Sequence, residues 1–488
     1  MQPNLRYPKH PLKGYRLIQQ IGGGGFSTVF QAVNTQDHRV AACKVMTLTP
    51  KTTQGERKAI DKEMRVHAAL KHGNVLEFLT AVIVEPGTES PYVSAIYMLL
   101  EFAAGGDLFD KIAPDVGIGE DVAHFYFLQL LSGLTYIHSE GVCHRDLKPE
   151  NILLDAAGAL KISDFGLCSV YKLKDTGRTR LLSERCGSLP YIAPELNTDK
   201  AYAAEPIDVW GIGVILFTMI VGNTPWDEPT GRSYEFSRYV SGTFIDDAPW
   251  NQLPAPVFSL ITGLLTVNPQ DRMTLADAFQ HSWVLTQSQL ASQGPAALAE
   301  KLTESLRITG DLDLVDIDLR SYVVTSSLFV SASQAKSHRQ SPTPRDDDQI
   351  MLSATRGSQF TQSLMLFSQT QGGTRYTPHL TRFWASVAPP ELLDIIESAL
   401  GVLAVGAARV DELNGELRCR IGGLDHRRVP FRGWVIIEPF DTADGSVRSF
   451  CVMQRDEGDP ISWRRMFKAV VQSQQLAQYV LRRRVRGS

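Results

Sequence analysis

Residues 144–151 read His144-Arg145-Asp146-Leu147-Lys148-Pro149-Glu150-Asn151, and thirteen residues after Asn151 the chain continues with Asp164-Phe165-Gly166. The first string contains a carboxylate that can orient a hydroxyl group and an amide that can bind a metal ion. The second string adds a carboxylate of the kind that hard divalent cations prefer. Together the two strings predict a site that binds a metal ion and orients a hydroxyl group.

Both strings resemble the catalytic loop and the metal-binding turn of protein kinases, and Ala193-Pro194-Glu195 follows in the order typical of that family. The resemblance implies that Asp146 orients the hydroxyl of a protein substrate and accepts its proton. Lys148 is expected to contact the γ-phosphate of ATP, and its presence predicts serine/threonine rather than tyrosine specificity. Asn151 and Asp164 are expected to bind Mg²⁺.

A glycine-rich segment between two predicted strands is expected to cover the nucleotide phosphates. It reads Ile21-Gly22-Gly23-Gly24-Gly25-Phe26-Ser27-Thr28-Val29. Glycines such as Gly22 and Gly24 let backbone N–H groups approach phosphate without interference from a Cβ atom. On its own, such a cluster more often forms a plain flexible hairpin. Ser27 replaces the usual third glycine, which leaves the loop geometry and the nucleotide affinity open.

Lys44 ends a strand of apolar residues and therefore needs an anionic partner. Glu63, on the next predicted helix, is the preferred candidate, and this pair is expected to hold the α- and β-phosphates of ATP. Asp61 has a shorter side chain and points to another face of the helix. Glu56 lies about two turns earlier on the helix. A solvent-exposed lysine is the remaining alternative.

The adenine ring is expected at a hinge between two lobes. Residues 100–103 follow the predicted fifth strand, and the kinase resemblance implies that backbone groups of Glu101 and Ala103 hydrogen-bond to adenine. The apolar residues expected to sandwich the ring are Ile21, Val29, Ala42 and Leu153. Each of these four, taken alone, is better explained by core packing, and only its relation to the motifs favours a place in the adenine pocket.

The predicted activation segment covers residues 164–195. Candidate phosphorylation sites in it are Thr176, Thr179 and Ser183, with Arg145 as a side chain that can pair with a phosphate. The closer resemblance described below implies that no such phosphorylation is needed.

Other charged residues have simpler expected roles. Glu195 and Arg272 are predicted to form a buried ion pair, and Asp208 to anchor the backbone of the catalytic loop. Asp107 and Glu150 predict a preference for arginine three residues before the phosphorylated residue of the substrate, unless both carboxylates merely face solvent.

The composition is that of a soluble globular protein, with 43% hydrophobic and 21% charged residues and a net charge of −4. This charge predicts no direct binding to nucleic acid. The polar, proline-broken N-terminus does not resemble a signal peptide, and the apolar stretch at 209–221 is too short to span a bilayer. Six scattered cysteines indicate reduced intracellular thiols.

The predicted fold class is α+β, namely a bilobal protein kinase with a β-rich N-lobe and an α-helical C-lobe, followed by a small C-terminal α+β domain. The predicted segments are an N-terminal extension (1–14), a kinase domain (15–283), a flexible Ser/Thr-Gln-rich linker (284–377) and a regulatory domain with a basic tail (378–488). Strands are predicted at 15–18, 29–33, 40–45, 321–330, 416–421, 433–438 and 449–454. Helices are predicted at 56–70, 122–138, 209–221, 256–265, 391–400 and 463–481.

Several strings resemble the checkpoint kinase 1 family within the calcium/calmodulin-kinase-like group. They are residues 204–210 with Pro225-Trp226-Asp227 in the kinase region, and residues 380–384 and 456–467 near the C-terminus. The resemblance implies a kinase-associated-1 fold that restrains the kinase domain. It also implies DNA-damage checkpoint signalling, cell-cycle regulators as substrates, a checkpoint adaptor, a monomer, and a nuclear location with a cytoplasmic pool.

Eight Ser/Thr-Gln dipeptides lie in or beside the predicted linker, and the last four fall within fourteen residues. They are Thr286-Gln287, Ser288-Gln289, Ser292-Gln293, Ser333-Gln334, Ser358-Gln359, Thr361-Gln362, Ser368-Gln369 and Thr370-Gln371. An upstream damage-sensing kinase is expected to act on them. The added phosphates would compete for contacts made by Arg382, Arg464, Arg465 and Lys468. A linker rich in Ser and Gln also produces such pairs by composition alone.

Two other functions remain open from sequence. One is a metabolic or polarity kinase whose C-terminal domain binds anionic lipid through Arg427, Arg428 and Arg432. The other is a pseudokinase scaffold, against which the complete set of phosphate- and metal-binding residues argues. The basic tail at 482–486 is equally a nuclear localisation signal or a solvated helix end.

Overall fold

The computed structural model describes residues 11–23, 27–87, 90–288, 290–315, 358–370, 373–413, 416–441 and 446–482. Gly24, the predicted strand at 321–330 and the end of the basic tail lie outside the described residues. The chain divides into two compact units, the first made of residues 1–32 and 40–305 and the second of residues 33–39 and 306–488.

The first unit begins with a five-stranded sheet and one helix. The strand order is β1-β2-β3-β5-β4, and the helix begins with a capping box in which Thr53 and Glu56 satisfy each other's backbone N–H groups. The elements are β1 (Arg16–Gly23), β2 (Thr28–Asn34), β3 (Arg39–Thr47), α1 (Gln54–Ala69), β4 (Phe78–Val84) and β5 (Ala95–Glu101).

The rest of the first unit is mainly helical, as predicted for the second lobe. Two small sheets, β6-β8-β9 and β7-β10, flank the catalytic loop. The elements are β6 (Gly106–Asp107), α2 (Glu120–Ser139), β7 (Val142–Cys143), β8 (Ile152–Leu154), β9 (Leu160–Ile162), β10 (Ser169–Val170), α3 (Ala204–Val221), α4 (Tyr234–Ser241), α5 (Ala255–Leu264), α6 (Leu275–Gln280), α7 (Pro295–Leu302) and, at the boundary between the units, α8 (Glu304–Ile308).

Helix α3 is the core of this helical lobe. Among the described residues it is the one helix with the length and hydropathy, 1.7, to cross a membrane, but 78% of it is buried inside the protein. It packs against α2 and α5, which accounts for its apolar composition on all sides.

The second unit contains a six-stranded antiparallel sheet in the order β14-β15-β16-β17-β13-β18. A core cluster joins one face of this sheet to its two longer helices. The elements are α9 (Gln359–Ser363), β11 (Phe367–Thr370), β12 (Gly373–Tyr376), β13 (Arg382–Ala385), α10 (Pro389–Val402), β14 (Gly406–Leu413), β15 (Glu416–Leu424), β16 (Pro430–Asp441), β17 (Val447–Glu457), α11 (Pro460–Val471) and β18 (Val480–Leu481).

The prediction of a flexible linker over 284–377 is wrong at both of its ends. Helix α7 packs against α2 and buries Leu298 and Leu302, which lie four residues apart on one helix face. At the other end, β11 and β12 form an antiparallel hairpin. Both pieces are so short that their hydrophobic periodicity alone does not predict a stable element. Each depends on packing against another part of the protein.

The closing helix predicted at 463–481 is also wrong in its second half. Helix α11 ends at Val471, and Ser473 then closes a turn by accepting a hydrogen bond from the Leu476 N–H at 3.3 Å. Residues 480–481 pair with β13 instead. The open edge of β13 satisfies their backbone groups, which outweighs the helix propensity of the segment.

Candidate active site

Strand alternation decides where Lys44 points. On β3, Cys43 belongs to the core cluster on one face of the sheet, and Ala42 and Met46 belong to the cluster on the other face. Lys44 shares the face of Ala42 and Met46, where Met64 of α1 packs. The ammonium group is therefore directed toward α1, as the predicted pairing with a residue of that helix requires.

Lys44 joins two carboxylates that are far apart in sequence. Its Nζ atom lies 2.9 Å from Glu63 Oε1 and 3.0 Å from Asp164 Oδ1. The two weaker candidates have other partners, because Asp61 pairs with Arg65 one turn later on the helix and Glu56 caps the N-terminus of α1. The structure thus forms the predicted Lys44–Glu63 pair and excludes a solvent-exposed lysine.

The two carboxylates keep Lys44 charged. Burial opposes the charged ammonium, but attraction to Asp164 and Glu63 outweighs it and raises the pKa of Lys44 above its usual value. Burial also opposes charge on Asp164, yet the nearby ammonium lowers the pKa of this carboxyl to about 2. At neutral pH both groups are ionised, as an electrostatic phosphate and metal site requires.

Asp208 holds the backbone of the catalytic loop, as predicted. Its Oδ2 accepts hydrogen bonds at 2.8 Å from the His144 N–H and from His138 Nε2, and its Oδ1 accepts one at 2.8 Å from the Arg145 N–H. Asp208 is 2% exposed. Since Asp146 follows this anchored dipeptide directly, its side chain starts from a fixed backbone.

The Asp146 carboxylate has two side-chain partners. Lys148 Nζ lies 2.7 Å from its Oδ2, and the Ser188 hydroxyl donates to its Oδ1 at 3.0 Å. Lys148 also donates to Ser188 Oγ at 3.0 Å. The predicted catalytic pair and the activation segment are thus joined in one network. The contact between Ser188 and Asp146 was not predicted from the sequence.

The two predicted metal ligands lie on segments that bond to each other. The Asn151 amide donates to the Asp146 carbonyl at 2.8 Å, and the Ser163 N–H donates to the Asn151 carbonyl at 2.9 Å. No hydrogen bond from the described residues reaches Asn151 Oδ1. Asp164 follows Ser163 with a left-handed φ of 62°, a conformation that directs its side chain toward Lys44.

The contacts of the Phe165 ring, next to Asp164, were not predicted from the sequence. Phe165 is fully buried, with its ring centroid 4.7 Å from that of His67 and 5.1 Å from that of His144. His67 lies one helical turn after Glu63, so its place on the same face of α1 was a usable signal. These ring contacts connect the helix that carries Glu63 to the catalytic loop.

Four of the predicted adenine-pocket residues belong to one apolar cluster. Ala42 lies in the cluster core, and Val29, Ala103 and Leu153 pack against it half-buried. Ile21 is half-buried on β1 and is not among the residues of this cluster. Of the predicted phosphate-covering glycines, Gly22 lies in β1 directly before Gly23, which ends the strand with a φ of 146° that favours glycine.

Two backbone groups of the hinge are already hydrogen-bonded within the protein. The Glu101 N–H donates to the Glu77 carbonyl at 2.8 Å, and the Ala103 carbonyl accepts from the Gly106 N–H at 3.0 Å. Among the described residues, none accepts a hydrogen bond from the Ala103 N–H. A free donor beside an apolar cluster is what an adenine ring needs from a protein.

These observations fit ATP with Mg²⁺. Lys44 supplies a buried cation for phosphate, Asp164 and Asn151 present oxygen atoms of the type that Mg²⁺ binds, and Ala103 packs against the apolar cluster. Gly166 leaves the carboxylates room, since a Cβ there would lie 3.3 Å from both Asp164 Oδ1 and Glu63 Oε2.

The acidic residues proposed for substrate recognition are half-buried. Asp107 Oδ1 accepts a hydrogen bond from the Phe109 N–H at 2.7 Å, which fixes the carboxylate at the start of a 3-10 turn. Glu150 lies in the turn Pro149–Asn151, directly before a predicted metal ligand. Their role toward a substrate arginine remains a prediction.

A second group of side chains, of the types that can bind a metal ion, has a structural role. His138, Cys143 and Asp208 lie within 4.8 Å of one another and are buried. Both carboxylate oxygens of Asp208 accept hydrogen bonds from the catalytic-loop backbone, and the Cys143 thiol donates to the Ala204 carbonyl at 3.0 Å. Burial raises the pKa of that thiol well above its usual value. The group therefore holds the catalytic loop.

Further support for the helical lobe comes from a buried ion pair. Arg272 donates two hydrogen bonds to the Glu195 carboxylate, at 2.7 and 2.9 Å, which confirms the predicted pair. It also stacks over the Trp210 ring at 4.9 Å. Such two-point contacts between arginine and carboxylate are specific in geometry, so this pair fixes the end of the activation segment.

Comparisons with known proteins agree with this geometry. The protein kinase domain family matches residues 15–284. Serine/threonine-protein kinase CHK1 of Mycosarcoma maydis is 35% identical, over 97% of this chain and 98% of its own length. Serine/threonine-protein kinase chk1 of Schizosaccharomyces pombe is 31% identical, over 94% and 96%. Serine/threonine-protein kinase grp of Drosophila melanogaster is 36% identical, over 78% and 70%. The matches to the two fungal proteins extend through both units, so the chain belongs to the protein kinase family and, within it, to the CHK1 serine/threonine-protein kinases.

Proposed function

We propose that this chain transfers the γ-phosphate of ATP to serine and threonine hydroxyls of protein substrates, in DNA-damage and replication checkpoint signalling that arrests the cell cycle. The observation that carries the catalytic part is the position of Lys44, whose ammonium contacts both Glu63 and Asp164. That contact exists only when α1 and the turn at Asp164 both lie where a phosphate-binding site needs them.

Each residue of the network has a definite task in this proposal. Asp146, held by Lys148 and Ser188, orients the substrate hydroxyl and takes up its proton. Lys148 then faces the transferred phosphoryl group, and Lys44 faces the phosphates that stay on the nucleotide. The chemistry supplied by Mg²⁺, bound at Asn151 and Asp164, is neutralisation of charge on the phosphate oxygens.

The direct experiment measures phosphate transfer from ATP to a peptide of the type Arg-x-x-Ser. Asp146→Asn removes the proton acceptor while keeping the size of the side chain, and we expect kcat to fall at least about a thousandfold. Asp199→Asn, an exposed carboxylate, is the matched control and should keep full activity. Undiminished transfer by Asp146→Asn would remove the catalytic assignment.

A preference for arginine three residues before the phosphorylated serine is supported by Asp107 and Glu150. Replacing that arginine by alanine in the peptide should raise KM more than it lowers kcat, because the contact is remote from the reacting atoms. For a chain that carries both Asp107→Asn and Glu150→Gln, replacing the peptide arginine by alanine should not raise KM further. If the wild-type and double-variant proteins prefer the arginine peptide to the same extent, other residues must be responsible for the preference.

The upstream part of the proposal rests on the last four Ser/Thr-Gln dipeptides. We call residues 358–370 and 373–377 the strap, since they form α9 and the β11–β12 hairpin of the second unit. In the strap Thr361 is 0% exposed and Ser368 is 7% exposed. The Thr361 hydroxyl already donates to the Ser358 carbonyl at 3.1 Å. A phosphate on either residue therefore does not fit the folded strap.

Two of the four basic side chains expected to meet these phosphates are buried. Arg382 and Arg464 are 2% and 1% exposed, and Arg382 donates to the strap carbonyls of Thr377, at 2.6 Å, and Met365. Lys468 lies 3.3 Å from Asp311. We therefore infer that phosphorylation opposes folding of the strap, rather than competing for arginines at a surface.

The remaining features of the proposal follow from the checkpoint assignment. They are a monomeric chain, an adaptor that presents it to a damage-sensing kinase, and a nuclear location with a cytoplasmic pool. Light scattering of the purified chain tests the first, and imaging of a tagged chain before and after DNA damage tests the last. Liposome binding with activity insensitive to damage would favour the lipid-binding alternative, for which Arg428 and Arg432 are exposed.

A further inference from the structure

Three cations from separate parts of the first unit attract one carboxylate on the activation segment, and one of them is in direct contact with it. Arg145 Nη2 lies 3.0 Å from Glu184 Oε2. Arg145, Lys62 and Arg180 all attract this carboxylate, and the hydrogen bond and charge of Arg145 are the main reasons why the pKa of Glu184 is lowered. The three side chains come from the catalytic loop, helix α1 and the activation segment itself. Arg145 is in direct contact with Glu184, and Lys62 and Arg180 act on it through their charge.

The cations are held in place by the segment that follows Gly166. Arg145 Nε donates to the Leu167 carbonyl at 2.7 Å, and Lys62 Nζ donates to the Cys168 carbonyl at 2.8 Å. Arg180 donates to the Val170 carbonyl at 2.9 Å. These bonds go to backbone atoms of residues 167–170, so the three cations are tied to the activation segment as well as directed toward Glu184.

The position of Glu184 is fixed from its own backbone. The Tyr202 hydroxyl donates to the Glu184 carbonyl, and Leu182 and Tyr202 exchange two backbone hydrogen bonds, at 2.9 and 2.8 Å. The backbone is therefore held while the carboxylate remains accessible, with 76% of the side chain exposed. A side chain placed in this way can be exchanged without disturbing a core.

A pocket with three cations has more positive charge than one carboxylate neutralises. A phosphate group carries roughly −1.5 to −2 charges and three acceptor oxygens, so it matches such a pocket better than a carboxylate does. The nearby hydroxyl residues Thr176, Thr179 and Ser183 are exposed, and no hydrogen bond joins any of them to Arg145 among the described residues. Glu184 is the anion in contact.

We propose that Glu184 occupies the place of an activation-segment phosphate, so that its carboxylate positions Arg145, Lys62 and the segment for catalysis without phosphorylation. The inference rests on the proposed kinase function and adds how that site is kept in its active arrangement. Lys62 precedes Glu63, the partner of Lys44, and Arg145 precedes Asp146. The Glu184 carboxylate thereby links the phosphate-binding lysine to the proton acceptor, and it is a positioning residue rather than a catalytic one.

The test uses the full-length chain with Glu184→Gln, Glu184→Asp, Glu184→Ser and a form that carries phosphoserine at position 184 through genetic encoding. We expect kcat/KM on an Arg-x-x-Ser peptide to fall about tenfold in the Gln and Ser variants, as for the loss of a charge-assisted contact that is partly exposed to solvent. The Asp variant should keep most of the activity. Phosphoserine should restore it to the wild-type value or above.

Phosphatase treatment provides the matching control. It should leave the wild-type rate unchanged and return the phosphoserine protein to the low rate of Glu184→Ser. Asp175→Asn, another exposed carboxylate of the segment, should behave as wild type. A Glu184→Gln protein with wild-type activity, or a phosphoserine protein no better than the Ser variant, overturns the proposal.

Hydrogen exchange separates this inference from the proposed function. Amides of residues 168–186 should exchange faster in Glu184→Gln than in wild type, and phosphoserine should restore slow exchange. This result does not depend on catalysis. If the wild-type chain transfers no phosphate but the exchange pattern follows the anion at 184, the kinase function fails and the positioning role stands. If transfer is normal and exchange ignores position 184, the positioning role fails alone.

Discussion

The hydroxyl of Ser188 donates a hydrogen bond to Asp146 Oδ1 at 3.0 Å, although the two residues are 42 positions apart in the chain. Through this contact the activation segment touches the proposed proton acceptor directly. Because Lys148 reaches both residues, the carboxylate, the ammonium and the hydroxyl form one closed network. The network can exist only when the segment is folded over the catalytic loop.

Removing the Ser188 hydroxyl tests this network. Ser188→Ala should lower kcat about tenfold with little change in the KM for ATP, since it frees the Asp146 carboxylate from one of its two fixed partners. Ser188→Thr keeps the hydroxyl and should retain most of the activity. A loss of equal size in both variants would mean that the volume of the side chain, rather than its hydrogen bond, matters.

The pairing of Lys44 with Glu63 predicts a sharp contrast between two acids of the same helix. Glu63→Gln removes the charge that fixes the ammonium and should lower kcat/KM about a hundredfold. Asp61→Asn removes only an exposed pair with Arg65 and should change the rate less than about twofold. Steady-state kinetics on the peptide substrate measures both, and comparable losses in the two variants would contradict the pairing.

His67 should make the first unit sensitive to acid. Burial is the main reason why the pKa of His67 is lowered from 6.5 to about 4. The folded state therefore favours the neutral form of the imidazole. The stability that depends on the neutral ring is complete above pH 6.5 and is lost as the pH falls toward 4. At pH 5 the loss amounts to about 2 kcal/mol.

Thermal unfolding between pH 7.5 and pH 5 checks this expectation. The melting temperature of the wild-type chain should fall more steeply with pH than that of His67→Leu, which has no proton to gain. His38→Gln, at an exposed turn, is the control and should follow the wild type. Parallel curves for the wild-type and His67→Leu proteins would show that this ring does not determine the acid response.

Arg382 should control access to the Ser/Thr-Gln dipeptides of the strap. Arg382→Ala removes the hydrogen bonds that a buried guanidinium donates to strap carbonyls, at a cost of about 2 kcal/mol. Strap amides should then exchange with solvent at least about tenfold faster. A damage-sensing kinase should phosphorylate the variant more readily than the wild-type chain.

Arg409→Ala provides the comparison for this experiment, because Arg409 pairs with Asp394 and Glu397 on α10 instead. It should leave both the exchange of the strap and its phosphorylation unchanged. If the wild-type and Arg382→Ala chains are phosphorylated equally and the strap amides exchange slowly in both, Arg382 does not control access to these sites.

The sequence predicted those parts of the site that lie on regular elements or in contiguous motifs. Lys44 and Glu63 could be paired because strand alternation and helix spacing each leave one direction for the side chain. Asp208 and the Glu195–Arg272 pair could be assigned because family motifs fix their places. His67 had a similar signal, one helical turn after Glu63, but nothing in the local sequence indicates that an imidazole packs on Phe165.

The remaining features depend on contacts between segments that are distant in the chain. Glu184 looks like any exposed acid until Arg145, Lys62 and Arg180 are placed around it. Residues 472–481 include several residues that favour helix, yet the edge of β13 offers residues 480–481 backbone partners that no local pattern reveals. The strap is similar, since a short hairpin is stable only where a second surface buries one of its faces.

The most direct test of the central claim is the Mg²⁺ dependence of ATP binding to the full-length chain, measured by calorimetry in the wild-type, Lys44→Met and Asp164→Asn proteins. If Lys44, Asn151 and Asp164 surround one magnesium-bound triphosphate, Mg²⁺ should tighten the binding of ATP to the wild-type chain at least about tenfold, and Asp164→Asn should abolish that gain. Lys44→Met should weaken binding with and without the metal. Binding of ATP that is equally tight in all three proteins, and indifferent to Mg²⁺, would contradict the account.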